Sequence, residues 1–326
     1  MSVRFVVEET AISGEPTDRA ATKASHARFI ELWLKYGVLV TNSSGGCISK
    51  NISNIPEACR KIWELALKSD KFRKTSESLG DANATLSSEE SIKAWLGKID
   101  LVCLEETRAE LDFVDDGGHA KYIIPNSLEV CRFDCADQSN SFKIQKEIWD
   151  RHIHPGETLR DVWTRRFVGL VRYSRYISIV DRYAGKMIIE KTNRGEKCGL
   201  LKLLYLIDSV SDTKMKKKVI NLYTSDTEVD LQKLKETLGI AVKTYGRNLA
   251  SFRVFVGEDR AFRILAHDRF LRFDGLVTSV GRGTALFENP EISSTYSCSL
   301  SPDIDGDFEA KIEKALRVSS EQILIL

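Results

Sequence analysis

Short apolar runs rich in β-branched residues alternate with stretches whose apolar residues recur every three or four positions. The alternation occurs twice, on either side of His154-Pro155-Gly156. Strand patterns repeat about every two residues and helix patterns about every 3.6, so this alternation selects an α/β architecture over a helical bundle or a β-sandwich. In the first half, Val3 to Val7, Val38 to Val40 and Ile99 to Leu104 read as strands. A helix announced by Pro16-Thr17-Asp18 runs to about Tyr36, where Gly37 stops it, and its Phe29, Leu32, Trp33 and Tyr36 fall on one core-facing side. A second helix is expected over Pro56 to Ser69, then an exposed polar stretch from Lys71 to Leu86. The capping box Ser87-Ser88-Glu89-Glu90 opens another helix through Trp95 and Leu96.

Ser139 to Arg151 and Glu157 to Tyr173 carry helical patterns parted by the proline-glycine break, which places a domain boundary there. Residues 1–154 are expected to form an N-terminal α/β domain and 155–326 a C-terminal mixed-sheet domain. Within the second, Tyr176 to Val180 and Val219 to Tyr223 read as strands, Leu200 to Val210 and Glu228 to Leu238 as helices. Leu249 to Val256, Phe262 to Leu265 and Ser294 to Leu300 supply further strands, and a last helix runs from Phe308 to about Val318. That order predicts a sheet covered by helices, with functional residues at strand ends.

With 326 residues, 42% of them hydrophobic, the chain can fill two cores. The 48 Lys+Arg against 47 Asp+Glu leave no net field, so any attraction to nucleic acid or acidic lipid must come from a local patch. The 7 cysteines include no C-x2-C pair, which points to reduced thiols rather than a zinc cluster. No apolar run reaches the length of a membrane span and MSVRFVVEE lacks a signal-peptide pattern, so a cytoplasmic location is expected.

The stretch from His267 to Phe287 combines a nucleophile, cations, a carboxylate and a glycine turn. Phe270 to Phe273 and Leu276 to Val280 read as strands joined by a tight turn at Asp274-Gly275. The second strand runs into Gly281-Arg282-Gly283, and Thr284 is expected to cap a following helix start. A strand, a glycine turn and a helix start form an anion seat, with Arg269 and Arg282 as its cations.

His267, Arg269 and Asp274 stand as H-x-R-x4-D, which resembles the H-x-K-x4-D motif of the phospholipase D superfamily, with arginine in place of its lysine. A closer resemblance, over about residues 176–301, is to the phospholipase-D-like C-terminal domain that follows MIT domains in eukaryotic membrane-remodelling proteins. It is carried by Ile179-Val180-Asp181-Arg182-Tyr183, Leu222-Tyr223-Thr224-Ser225, His267-Asp268-Arg269 and Gly281-Arg282-Gly283. The resemblance implies a domain kept for binding phosphate-bearing groups, notably acidic lipid headgroups, with incomplete hydrolytic machinery and no cofactor. It assigns phosphate to Arg269, Gly281, Arg282, Gly283 and Thr284, with Asp181, Tyr183, Thr224 and Asp268 in support. Turnover in the superfamily needs one histidine to attack phosphorus and a second to protonate the leaving oxygen. This chain has one motif copy, so His267, with Asp274, becomes catalytic only where a homodimer brings two copies together.

The N-terminal half offers a different chemistry. Glu8, Glu9, Glu105, Glu106, Asp115, Asp116 and Asp134 stand at or near expected strand ends, where carboxylates can gather a divalent metal for phosphodiester cleavage. Glu9-Thr10-Ala11-Ile12 faintly resembles the opening of PIN-type ribonucleases, and Glu9, Glu106 and Asp116 are the candidate ligands. His152-x-His154 is expected to be solvent-exposed or capping rather than metal-binding, and Asp303 to Asp307 to be an acidic helix start rather than a calcium loop. The expected function is phosphate or phosphodiester binding. The alternative is a phosphodiesterase or nuclease, for instance a host-defence effector.

Overall fold

The computed structural model describes residues 2–13, 19–42, 52–77, 95–105, 123–124, 128–210, 217–266, 269–303 and 308–326. The chain divides into two compact units, Ser2–Ile148 and Trp149–Leu326, and both are α/β. His154-Pro155-Gly156 therefore lies inside the second unit. There it is tied down by Ile153 N–H to Tyr296 O and Gly156 N–H to Ile292 O, both 3.0 Å.

In the first unit Val3–Val7 forms β1, Gly37–Asn42 β2, Lys74–Glu77 β3, Leu101–Leu104 β4, Ile123–Ile124 β5 and Leu128–Arg132 β6. Their order is β3-β2-β1-β4-β6-β5, parallel except for β5 against β6. The chain leaves β1 toward β2 and later returns to β4 on the other side. The carboxyl ends of β1 and β4 therefore flank the point where the strand order reverses. The helix Arg19–Tyr36 ends where Gly37 stops it and buries Phe29 and Trp33 against Phe5 and Trp63, as its spacing predicts. The stretch from Lys71, expected to be exposed, is so among its described residues only at Ser76 and Glu77, while Arg73 is buried and Lys74–Glu77 pairs as β3. Lys74-Thr75-Ser76-Glu77 has little β-propensity, but β2 offers it an edge, and Lys74 Nζ satisfies the terminal carbonyls of the helix Glu57–Lys68 at Leu67 O (2.6 Å) and Ser69 O (2.9 Å).

His26 lies in this core with its Nδ1 accepting from Trp63 Nε1 at 2.8 Å, and burial pushes its pKa down from 6.5 to about 4. Between those values the unfolded chain binds a proton that the folded one refuses. The contribution of neutral His26 is whole above pH 6.5 and is lost as pH falls through about 4. We expect the Ser2–Ile148 unit to lose about 3 kcal/mol over that window. His26→Asn keeps an acceptor near the indole N–H and does not titrate, so urea unfolding of this variant should show a flatter dependence on pH. Equal slopes for variant and wild type would assign the acid sensitivity elsewhere.

In the second unit Tyr176–Val180 forms β7, Lys218–Ser225 β8, Leu249–Gly257 β9, Phe270–Phe273 β10, Leu276–Val280 β11, Cys298–Pro302 β12 and Ser320–Leu324 β13. The order is β12-β11-β10-β7-β8-β9-β13, with β7, β8 and β9 mutually parallel and the flanking strands antiparallel. Phe262 to Leu265, read as strand, belongs instead to a helix, Asp259–Leu265, which buries Phe262 beside Leu316. The last helix, Glu309–Val318, does not end the unit, since β13 follows and completes the sheet against β9. The expected strand from Ser294 starts only at Cys298.

Beneath the helix Glu309–Val318 lies an ion pair whose carboxylate, Glu313, is buried and whose guanidinium, Arg272, is half-buried. Glu313 Oε1 accepts from Arg272 Nε at 2.6 Å and its Oε2 from Ser178 Oγ at 2.8 Å, so the carboxylate ties β7 and β10 together. Lys218 is also buried, and its ammonium donates to Arg172 O at 3.0 Å at the end of the helix Val168–Tyr173. Among the described residues no helix is long and apolar enough to cross a membrane.

Candidate functional site

Antiparallel pairing gathers the expected site residues. β10 runs against β7, with Phe270 opposite Val180, so Arg269 at the start of β10 stands beside Asp181 at the end of β7. β11 runs back against β10, and Val280 N–H donates to Arg269 O at 2.9 Å, which returns Gly281-Arg282-Gly283 to the same edge.

Asp181 organises this edge. Its Oδ2 accepts from Thr284 N–H (2.8 Å) and Thr284 Oγ (2.7 Å), and its Oδ1 accepts from Tyr183 N–H (3.1 Å) and faces Arg269 Nε at 3.6 Å. Thr284 therefore does not cap the short helical turn Gly283–Phe287 as its position suggested, because its hydroxyl is committed to the buried carboxylate. Gly283 has φ +60°, and a Cβ there would overlap the Asp181 carboxylate and Arg269 Cδ. Only glycine takes this conformation at this separation without strain.

Arg269 also donates through Nη1 to Gly281 O at 2.9 Å, and its guanidinium lies 5.0 Å from the Tyr183 ring centre. Arg182 approaches the same ring at 4.9 Å but is held by Asp259, Nη2 to Oδ2 at 2.7 Å. Arg282 donates to Ser294 Oγ at 3.0 Å and lies 5.6 Å from the Tyr296 ring; no described carboxylate pairs with it. Asp181, Tyr183, Arg269, Arg282 and Thr284 line one cavity of about 310 Å³. Its far wall carries residues that spacing did not reveal. Lys191 binds Glu288 at 2.7 Å and Glu196 at 2.8 Å, and these two carboxylates, Glu196 first, hold its pKa above the ordinary lysine range. With Asp181 saturated by donors and Glu288 held by Lys191, the arginines remain the groups able to meet an anion.

Thr224 is close to this edge but works within the fold. Its hydroxyl accepts from Gly185 N–H at 2.9 Å and donates to Arg182 O at 3.2 Å. Asp274 is a correction. It sits in the β10–β11 turn with φ +51°, at the opposite end of the hairpin from Arg269 and Arg282, where its carboxylate accepts from Arg175 N–H (3.0 Å) and Tyr176 N–H (2.8 Å). Burial raises its pKa. It is an anchor for β7, not a partner in the cavity. His267 and Asp268 lie outside the described residues.

In the first unit Glu8 and Glu9 follow β1 and Glu105 follows β4, on adjacent strands. Glu8 Oε2 lies 3.5 Å from Glu105 N–H, and Glu9 Oε1 lies 3.4 Å from Asn54 Nδ2. Asp134 is paired with Arg132 at 3.0 Å. Glu106 and Asp116 lie outside the described residues, and among those described no His, Cys, Asp and Glu form a metal-holding group. His152 and His154 are both exposed. Comparison with protein-family models and with curated proteins returns no match for this chain.

Proposed function

We propose that the Trp149–Leu326 unit binds a phosphate or phosphodiester group, in the manner of a degenerate phospholipase-D-like domain with a single motif. The observation that carries this reading is the convergence of Arg269 and Arg282 on one cavity, above a carboxylate whose charge is already answered by Thr284, Tyr183 and Arg269 itself. Among the described residues no group engages Arg269 Nη2, which can meet a phosphate oxygen while Nη1 fixes the guanidinium to the Gly281 carbonyl. The ligand can be an acidic lipid headgroup or a nucleic acid, and either belongs with a cytoplasmic protein. Turnover as a phosphodiesterase or nuclease would need His267 with a second copy of it across a homodimer, or a divalent metal on the N-terminal acids.

Charge-assisted hydrogen bonds contribute about 1.5–3 kcal/mol each, so Arg269→Ala or Arg282→Ala should weaken binding of phosphorylated ligands about 10- to 100-fold while leaving thermal unfolding within a few degrees of wild type. Titration of anionic lipid vesicles and single-stranded oligonucleotides at fixed salt identifies the ligand class, and cleavage read in the same samples with and without chelator tests turnover. An Arg269/Arg282 double variant that folds and binds as wild type would remove this site from consideration.

A further inference from the structure

The cavity between the arginines opens beside a larger one of about 450 Å³, and the two share Cys198 and Glu288 as a common wall. The second cavity is framed by the helices Gly199–Val210 and Leu231–Tyr245 and by Asn289-Pro290. Tyr205 and Tyr245, one from each helix, meet edge to face at 5.6 Å, and the Lys202 ammonium lies 4.5 Å from the Tyr205 ring centre. Tyr205 is 44% exposed, so a large aromatic surface is held in place by its neighbours yet open to solvent.

The shared wall is suited to an anion on one side and a neutral group on the other. Lys191 faces the arginine cavity, Glu196 the tyrosine cavity, and Glu288 both, and Lys191 binds the two acids. Lys191 thus offsets one of the two carboxylate charges at the shared wall, which leaves Arg282 and Arg269 to meet a phosphate. Beyond the wall aromatic and apolar surface from Tyr205, Tyr245 and Leu201 stands beside the charged Glu196, Lys197 and Lys202, with the Asn289 amide able to donate and accept.

The geometry points to a nucleoside phosphate as the ligand, its phosphate between Arg269 and Arg282 and its base against Tyr205 and Tyr245. This inference rests on the phosphate-binding reading above and names its ligand class. A flat base gains from a tyrosine face whatever its sequence, and an adjacent lysine adds to that platform. An acyl chain fits less well, because Glu196, Lys197 and Lys202 line the cavity and charged walls suit water rather than a bilayer.

Calorimetric titration of the full chain with ribose 5-phosphate, adenosine monophosphate and a 5′-phosphorylated single-stranded oligonucleotide separates the parts. Adenosine monophosphate is expected to bind about tenfold or more tighter than ribose 5-phosphate. Tyr205→Ala, or Tyr205→Leu if the alanine variant unfolds, should erase that advantage while leaving ribose 5-phosphate within about twofold. Arg282→Ala should weaken both ligands. Oligonucleotide affinity above that of the mononucleotide assigns a strand end as the source, and equal affinity assigns the free nucleotide. Ribose 5-phosphate binding with no gain from the base overturns the nucleoside inference and leaves phosphate binding standing. Binding of neither removes both. Binding only to phosphatidic acid vesicles, weakened by Tyr205→Ala, overturns the inference in favour of a lipid.

Discussion

Replacing Glu313 by alanine should cost the Trp149–Leu326 unit about 3–5 kcal/mol, because the change leaves the Arg272 charge and the Ser178 hydroxyl without their partner beneath a packed helix. The penalty comes from the abandoned cation more than from the lost attraction. A double variant, Arg272→Leu with Glu313→Leu, should therefore recover most of the loss, whereas two independent losses would add. Urea unfolding followed by tryptophan fluorescence and by amide exchange on β7 gives both numbers. A single-variant loss below about 1 kcal/mol would mean that solvent at the half-buried Arg272 screens its charge well enough to replace the partner.

The second large effect is expected at the two glycines that let the site close. Gly199 begins the helix Gly199–Val210, and a Cβ on it would fall on the Thr284 carbonyl, a backbone atom that cannot swing away. Gly283 meets the same turn from the other side, with a left-handed backbone that costs a side chain about 1–2 kcal/mol before any overlap. Overpacking adds about 1–3 kcal/mol, so Gly283→Ala should destabilise the unit by about 2–5 kcal/mol and Gly199→Ala, which meets the overlap without the backbone cost, by about 1–3 kcal/mol. Both should also displace Thr284 from Asp181 and abolish phosphate binding even in molecules that remain folded. A Gly283→Ala protein with wild-type affinity and unchanged melting would falsify the account of Asp181 as the organiser of this edge.

How much of this was legible in the residues differs from element to element. β7 and β8 were, because Ile177, Ile179, Val180, Ile220 and Leu222 form β-branched and apolar runs long enough to have one reading. The run Phe262 to Leu265 was not, since a short apolar stretch fits strand and helix equally. Packing of Phe262 near Leu316 settles it as helix. β3 and β13 escaped because Lys-Thr-Ser-Glu and Ser-Glu-Gln-Ile-Leu are edge sequences, whose structure comes from the neighbour they pair with rather than from their own propensity. Within the site, Arg269, Arg282 and Asp181 could be found from strand ends and glycine spacing. Lys191 and Glu288 could not, because their ion pair joins segments distant in the chain and leaves no local pattern. Asp274 was read correctly into the hairpin turn, but the role given it beside His267 overlooked that this turn lies at the far end of β10 from Arg269.

That last error shows what the interval records here. Arg269 and Asp274 bracket β10, whose Phe270–Phe273 spans about 13 Å of extended chain. The carboxylate clamps the rear of the hairpin to the amides of Arg175 and Tyr176, while the guanidinium hangs over the front. The spacing is thus a ruler for the depth of the sheet. Loss of one residue between the two would put the arginine on the opposite face while the rear clamp stayed closed.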